Sequence, residues 1–223
     1  MTPGKSFSRA TTAAESIDVI DQPRDYWQRV YAGRPATEAS WYQAEAARSL
    51  AYIETACPDR RASIIDVGGG ASTLVDGLLD KGYADISVLD IADAGLAVAR
   101  KRLAAAASEV SWLVADVTKW APPRQWHVWH DRAVFHFLVD PTQQDAYVVA
   151  LTAATAPGST VIMATFALDG PERCSGLPVE RYSAAKLADR LGPHYHLTTE
   201  AQERHRAPSG AEQSFCWAVF QRV

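Results

Sequence analysis

The chain has 223 residues, 48% of them hydrophobic and 22% charged, and its 22 Lys and Arg against 26 Asp and Glu leave a formal charge of −4. That length supports one well-buried core, and the mild acidity argues against a nucleic-acid partner, which needs clustered cations for the phosphates. No apolar run approaches the roughly 18 residues that span a bilayer, and the opening MTPGKSFSRATTAAES lacks the apolar stretch of a secretory signal. The expectation is a cytoplasmic protein without a membrane partner, with residues 1–22 as a flexible polar leader before a single domain over 23–223. Three cysteines, Cys57, Cys174 and Cys216, are odd in number and scattered, which suggests reduced thiols rather than a disulfide framework or a zinc site.

The elements, in chain order, begin with helices near 25–31 and 44–55. The link between them, AGRPATEASWYQ, is rich in turn formers and carries Trp41 and Tyr42. Residues 23–60 therefore read as a helical lid over a core spanning 61–223. In that core the β-branched run 62–67 is closed by Gly68, Gly69 and Gly70, and Leu74, Val75, Leu78 and Leu79 follow at helical spacing. The unit recurs as strand 86–89 with an Ala-rich helix over 94–107, then strand 111–114. A strand at 126–129, a helix at 143–156, a strand at 160–165 and a helix at 183–191 come next. The last runs, 196–203 and 213–222, flank Ser209 and Gly210 and read as an antiparallel hairpin. Regular β-α alternation gives an α/β fold, a Rossmann-like doubly wound and mostly parallel seven-stranded sheet with an antiparallel last strand.

In such a sheet, ligands sit outside the carboxyl ends of the strands at the switch point beside the first strand, where Asp66 to Ser72 (DVGGGAS) fall. Glycines there accept positive φ and let the backbone approach a ligand. Asp90 closes the second strand 20 positions after Gly70, the spacing at which a carboxylate reaches a ribose diol. A dinucleotide fingerprint would need a glycine where this chain has Thr73, and Asp66 is poorly suited to a pyrophosphate. Asp116, after the third strand, adds another acid at the same edge. Three acids around one glycine turn describe a cationic nucleoside better than a nicotinamide dinucleotide.

With these residues the chain resembles the class I S-adenosylmethionine-dependent methyltransferases over most of 23–223. IIDVGGGAS resembles the family's first motif, which implies Asp66, Gly68, Gly69, Gly70 and Ser72 around the methionyl part and ribose of S-adenosyl-L-methionine. The resemblance further implies Asp90 as the ribose acid, Ile91 beside adenine, and Asp116 with Val117 at the adenine amino group. WHDRAVFHFL over 129–138 is similar to the fourth motif of many small-substrate members. The family activity is methyl transfer to S, N or O by in-line displacement, leaving S-adenosyl-L-homocysteine; a small-molecule acceptor is expected here, with a protein lysine as the alternative.

Several of these residues also have plain structural readings. Asp66 could cap the next helix, and Asp90 and Asp116 could sit in solvated turns. Trp41 reads as a lid residue facing the ligand. Asp131 could orient an amine acceptor, and His136 or His205 could serve as base for an alcohol, although an isolated histidine in an apolar run also suits the interior. Cys174 reads as a spectator thiol. His205 and Arg206 could reach the mouth of the site or lie on a solvated hairpin. A nicotinamide oxidoreductase with a degenerate fingerprint and a non-catalytic S-adenosylmethionine-binding protein are the other function classes.

Overall fold

The computed structural model describes residues 23–223, so the leader expected over 1–22 lies outside the described residues. Strands β1 (Ser63–Val67), β2 (Asp85–Asp90), β3 (Val110–Val114), β4 (Val128–Arg132) and β5 (Thr160–Phe166) run parallel. A short hairpin, β6 (Arg173–Cys174) with β7 (Leu177–Pro178), stands apart, and β8 (Tyr195–Arg206) and β9 (Glu212–Arg222) return antiparallel. The order across the main sheet is β3-β2-β1-β4-β5-β9-β8. Every residue of β1 and β5 is buried. Their mostly apolar, β-branched residues suit that burial, since helices cover both faces of a parallel sheet. The edge strand β8 instead alternates and carries Glu200, Glu203, Arg204 and Arg206, charges that discourage edge-to-edge pairing.

Helices α1 (Pro23–Gly33), α2 (Ala47–Ala56), α3 (Leu74–Asp80), α4 (Asp93–Leu103), α5 (Pro141–Ala154) and α6 (Ala184–Leu191) complete the fold. Asp140 caps α5 by accepting the Thr142 N–H at 2.8 Å, with Pro141 in the first turn, and Ser183 caps α6 through Lys186 N–H at 3.2 Å. On one face of the sheet Ile65, Trp129, Val161 and Met163 pack against Tyr147 and Leu151 of α5 and Leu187 of α6. On the other, Ile64, Ile86, Val88 and Ile162 meet Leu50 and Ile53 of α2, Leu74 and Leu78 of α3, and Leu96 of α4. Among the described residues no helix is long and apolar enough to cross a membrane.

Three expectations need correction. The helix read over 94–107 ends at Leu103, because Ala104 turns to φ 50° and the chain continues as a 3-10 turn to Glu109. Of the residues 23–60 read as a lid, α1 and the link after it overlie the carboxyl edge, whereas α2 buries Leu50 and Ile53 and belongs to the helical layer. The fourth strand runs over 128–132 rather than 126–129, with Val67 of β1 opposite Asp131. Its polar residues enter a central strand because each finds buried partners. Asp131 accepts the Val134 N–H at 2.9 Å, the Phe135 N–H at 3.1 Å and the Tyr147 hydroxyl at 2.5 Å, and Tyr147 in turn accepts Trp129 Nε1–H at 2.9 Å.

Tyr147→Phe would remove the hydroxyl donor from Asp131 Oδ2, which keeps only the Phe135 N–H, and would leave the Trp129 indole without a partner. It should lower the unfolding free energy by about 1–3 kcal/mol, the usual cost of unsatisfied buried groups. Urea denaturation checks this, and a loss within error would show that the network adds nothing to stability.

Candidate active site

The sheet order reverses between β2-β1 and β4, which opens a crevice at the carboxyl ends of β1 and β4. The glycine turn fills its floor. Gly68 and Gly70 take φ of 68° and 41°, and Gly68 and Gly69 donate their N–H groups to Leu89 O at 2.6 and 3.2 Å. A Cβ on Gly69 would lie 2.5 Å from Asp66 Oδ2, and one on Gly70 would lie 2.8 Å from Asp90 Oδ2. Only glycine lets the turn fold this closely over both acids. Ser72 leaves the turn by accepting the Leu74 N–H at 3.1 Å, which starts α3.

Asp66 and Asp90 end adjacent strands and are 3% and 4% exposed, so the solvated-turn reading of Asp90 fails. Asp66 Oδ1 faces His130 Nδ1 at 2.7 Å, and His130 Nε2 meets Ser49 Oγ at 2.9 Å. Asp66 Oδ2 is buried with no partner, at a wall shared with Gly68, Gly69, Ser72 and Trp41. Asp90 accepts the Ala92 N–H at 2.8 Å and is bonded by the Tyr31 hydroxyl. Burial pushes the Asp90 carboxyl up to about 7, against the pull of the Ala92 N–H and with help from the Asp66 charge. Burial and the same two acids hold Tyr31 well above its ordinary range.

Tyr31 comes from α1, whose ring stacks lie with those of Trp27 and Trp41 over the turn, centroids 5.9 to 6.3 Å apart. Trp41 thus lies in the link after α1, packed against two rings of that helix. Ile91 is half-buried beside Asp90, and Val117 packs in the core with Leu89 and Trp126. Asp116 accepts the Thr118 N–H at 3.0 Å and hydroxyl at 2.7 Å and stands 3.6 Å from Lys119. Its Oδ1 therefore shapes its own turn.

The two residues nominated for catalysis are both enclosed. Asp131, fully buried, lies on the α5 face of β4, where its oxygens hold the turn at Val134 and Phe135; burial pushes it up to about 6. Val134 in turn abuts Gly68, so Asp131 positions the floor of the crevice rather than facing an acceptor. His136 is also fully buried, accepts the Phe166 N–H at 3.3 Å through Nδ1 and packs on Phe137 and Phe166; burial, then the Arg132 charge, pulls it down to about 3. A neutral interior imidazole is the result. Cys174 is buried with its thiol pushed up by burial, as a spectator would be. His205 is buried against Ser40 O at 2.8 Å, under the link rather than on a solvated hairpin, whereas Arg206 is exposed.

Sequence reasoning missed Tyr31, Ser49 and Arg132, and left His130 among scattered histidines. Arg132 ends β4, donates Nη1–H to Trp41 O at 3.1 Å and lies over the Phe215 ring at 4.5 Å. The signal available was the alternation Val128, His130, Arg132, which puts the two polar groups on the crevice face beside Asp66.

Residues 64–158 match the family model described as a methyltransferase domain. No curated protein sequence matches the chain. Among solved structures, the 1,6-didemethyltoxoflavin-N1-methyltransferase of Burkholderia thailandensis, with 1,6-didemethyltoxoflavin and S-adenosylhomocysteine bound, is 17% identical with a TM-score of 0.68 over 89% of this chain and 86% of that one. A SAM-dependent methyltransferase from Anabaena variabilis is 14% identical, with a TM-score of 0.69 over 93% and 96%. The N-methyltransferase NodS from Bradyrhizobium japonicum, in complex with S-adenosylhomocysteine, is 13% identical with a TM-score of 0.63 over 87% and 97%. Residues 64–158 are thus similar to the methyltransferase domain family, and the chain shares the Rossmann-like fold of these S-adenosylmethionine-dependent methyltransferase structures.

The raised Asp90 carboxyl makes a pH prediction. A folded value near 7 against 3.8 unfolded means that the native state holds the proton longer, so stability from this group is full below about pH 4 and lost by about pH 7. Asp90→Asn cannot ionise. It should match the parent at pH 4 and exceed it at pH 8 by roughly 2–4 kcal/mol. Thermal denaturation at the two pH values checks this; an equal difference at both would show that Asp90 ionises normally.

Proposed function

We propose that this protein moves a methyl group from S-adenosyl-L-methionine to a nucleophilic S, N or O atom of a small-molecule acceptor. The observation that carries the cofactor reading is the unpartnered Asp66 Oδ2, buried at the glycine turn beside a second buried acid, Asp90. A buried carboxylate oxygen left free suits a ligand that brings a positive charge and hydroxyl donors, and disfavours a pyrophosphate. The residues fit the group in kind. Asp66 with the backbone of Gly68 and Gly69 would hold the methionyl amino end, Gly70 and Ser72 would lie along the ribose, and Asp90 would accept from the ribose hydroxyls once Tyr31 yields. Ile91, Val117 and the Asp116 turn would flank the adenine.

Bound there, the cofactor supplies a methyl carbon activated by a sulfonium. The chain's own residues orient and exclude. Asp131 holds the 133–135 turn behind Gly68, His130 fixes the Asp66 rotamer through Ser49, and Trp41 with Trp27 keeps water from the crevice. In-line displacement depends mainly on such positioning and dryness, so enclosed Asp131 and His136 need not exchange a proton with the acceptor. The small-molecule reading is supported by the closeness of the link 36–46 to the turn, which leaves an enclosed crevice, and by the small aromatic ligand in the Burkholderia relative.

Calorimetry with S-adenosylhomocysteine, NADH and NADPH should give micromolar binding of the first alone. Asp90→Ala should weaken that binding by about 1.5–3 kcal/mol, the scale of charged hydrogen bonds. Binding of a nicotinamide instead would overturn the reading, and an unchanged affinity in the variant would remove Asp90 from the site.

A further inference from the structure

Arg132, half-buried at the end of β4, lines the crevice with a charge that the described residues leave open. Its Nη1 is held by Trp41 O, but Nε and Nη2 are buried and have no partner. Among the described residues no carboxylate lies within ion-pairing distance of this guanidinium. Glu203, the acid with the largest influence on it, is turned elsewhere, accepting Trp217 Nε1–H at 2.6 Å and Gln43 Nε2–H at 3.5 Å, with Arg48 at 3.9 Å. Burial pulls Arg132 down only to about 10, so it stays charged at neutral pH. A desolvated charge left unpaired is destabilising and calls for a counter-charge.

The geometry of the free edge narrows what that counter-charge is. Nε–H and Nη2–H are the two parallel donors along one side of the guanidinium plane, the pair that grips a carboxylate through both oxygens. Position narrows it further. Arg132 lines the same crevice as Asp66 and Gly68, and its guanidinium lies over Phe215 of β9, at the side away from β2 and Asp90. On that side the unpaired Gln213 Oε1 belongs to a residue on the same face of β9 as Phe215, and His205 sits opposite Gln213. Burial keeps both His205 and His136 below the usual imidazole range, so neither adds a competing cation at neutral pH.

We infer that Arg132 is a specificity residue that receives a carboxylate of the methyl acceptor in two parallel hydrogen bonds, on the β9 side of the cofactor crevice. The inference rests on the methyltransferase reading above and adds the acceptor class: small carboxylic acids. Because Nη1 is tied to the lid through Trp41 O, filling the free edge also fixes the lid over the bound acceptor.

The test uses the full chain saturated with S-adenosylhomocysteine, benzoate as the carboxylate probe and benzamide as its neutral counterpart, with Arg132→Lys and Arg132→Gln as variants checked for folding by circular dichroism. Benzoate should bind at least tenfold more tightly than benzamide. Arg132→Gln should erase that preference and Arg132→Lys should reduce it, since an ammonium keeps the charge but not the fork, while the affinity for S-adenosylhomocysteine changes less than twofold in both. Equal binding of the two probes to the parent overturns the inference. A tenfold loss of S-adenosylhomocysteine affinity in both variants also overturns it, and places the guanidinium on the cofactor's own carboxylate. If the parent fails to bind S-adenosylhomocysteine, the functional reading falls, and the benzoate preference of the unliganded protein still decides whether Arg132 is a carboxylate site.

Discussion

Two carboxylates at the ends of adjacent parallel strands, both removed from water, are the constraint around which the crevice is built. Burial pushes the Asp90 carboxyl up to about 7, and the nearby Asp66 charge, poorly screened there, adds to the shift. Each receives part of the compensation it needs: an imidazole for one oxygen of Asp66, a backbone N–H and a phenol for Asp90. One oxygen of Asp66 receives nothing. A fold that keeps such a group retains it at the expense of stability, which is how a site for a cationic ligand differs from a well-satisfied core.

The rest of the molecule makes that arrangement rigid. Strands covered on both faces cannot shift register without exposing their apolar residues, so the ends of β1, β2 and β4 stay fixed relative to one another. The Asp131, Tyr147 and Trp129 network ties the far side of β4 to α5 and holds the turn that backs onto Gly68. Above the crevice the aromatic lid is closed on itself, with the Tyr31 hydroxyl on the acid that the cofactor's ribose is proposed to use.

Much of this was legible in the chain. The glycine turn, the 20-position spacing to Asp90 and the β-α alternation depend on local backbone chemistry and short periods, and all three are found where the sequence puts them. The fourth strand was harder. His130, Asp131 and Arg132 fell outside the strand read over 126–129, since polar residues seldom enter a central strand, and their buried partners from Ser49, Tyr147 and Trp41 explain the exception. Those partners lie 81, 16 and 91 positions away. Asp131, nominated as an acceptor contact, lies inside the fourth strand rather than after it, on the face opposite Arg132.

By itself the sequence determined the layer architecture, the place of the glycine turn and the acids beside it, because hydrophobic period, β-branching and the freedom of glycine act over a few residues. Tertiary structure decided which polar groups are satisfied. Asp116 spends an oxygen on its own turn, His136 becomes a neutral interior ring, and Tyr31 reaches Asp90 from a helix near the start of the described chain. Whether Arg132 is paired or free turns on where Glu203, 71 positions later, points its carboxylate, and burial and pairing of that kind are set by the packed chain as a whole.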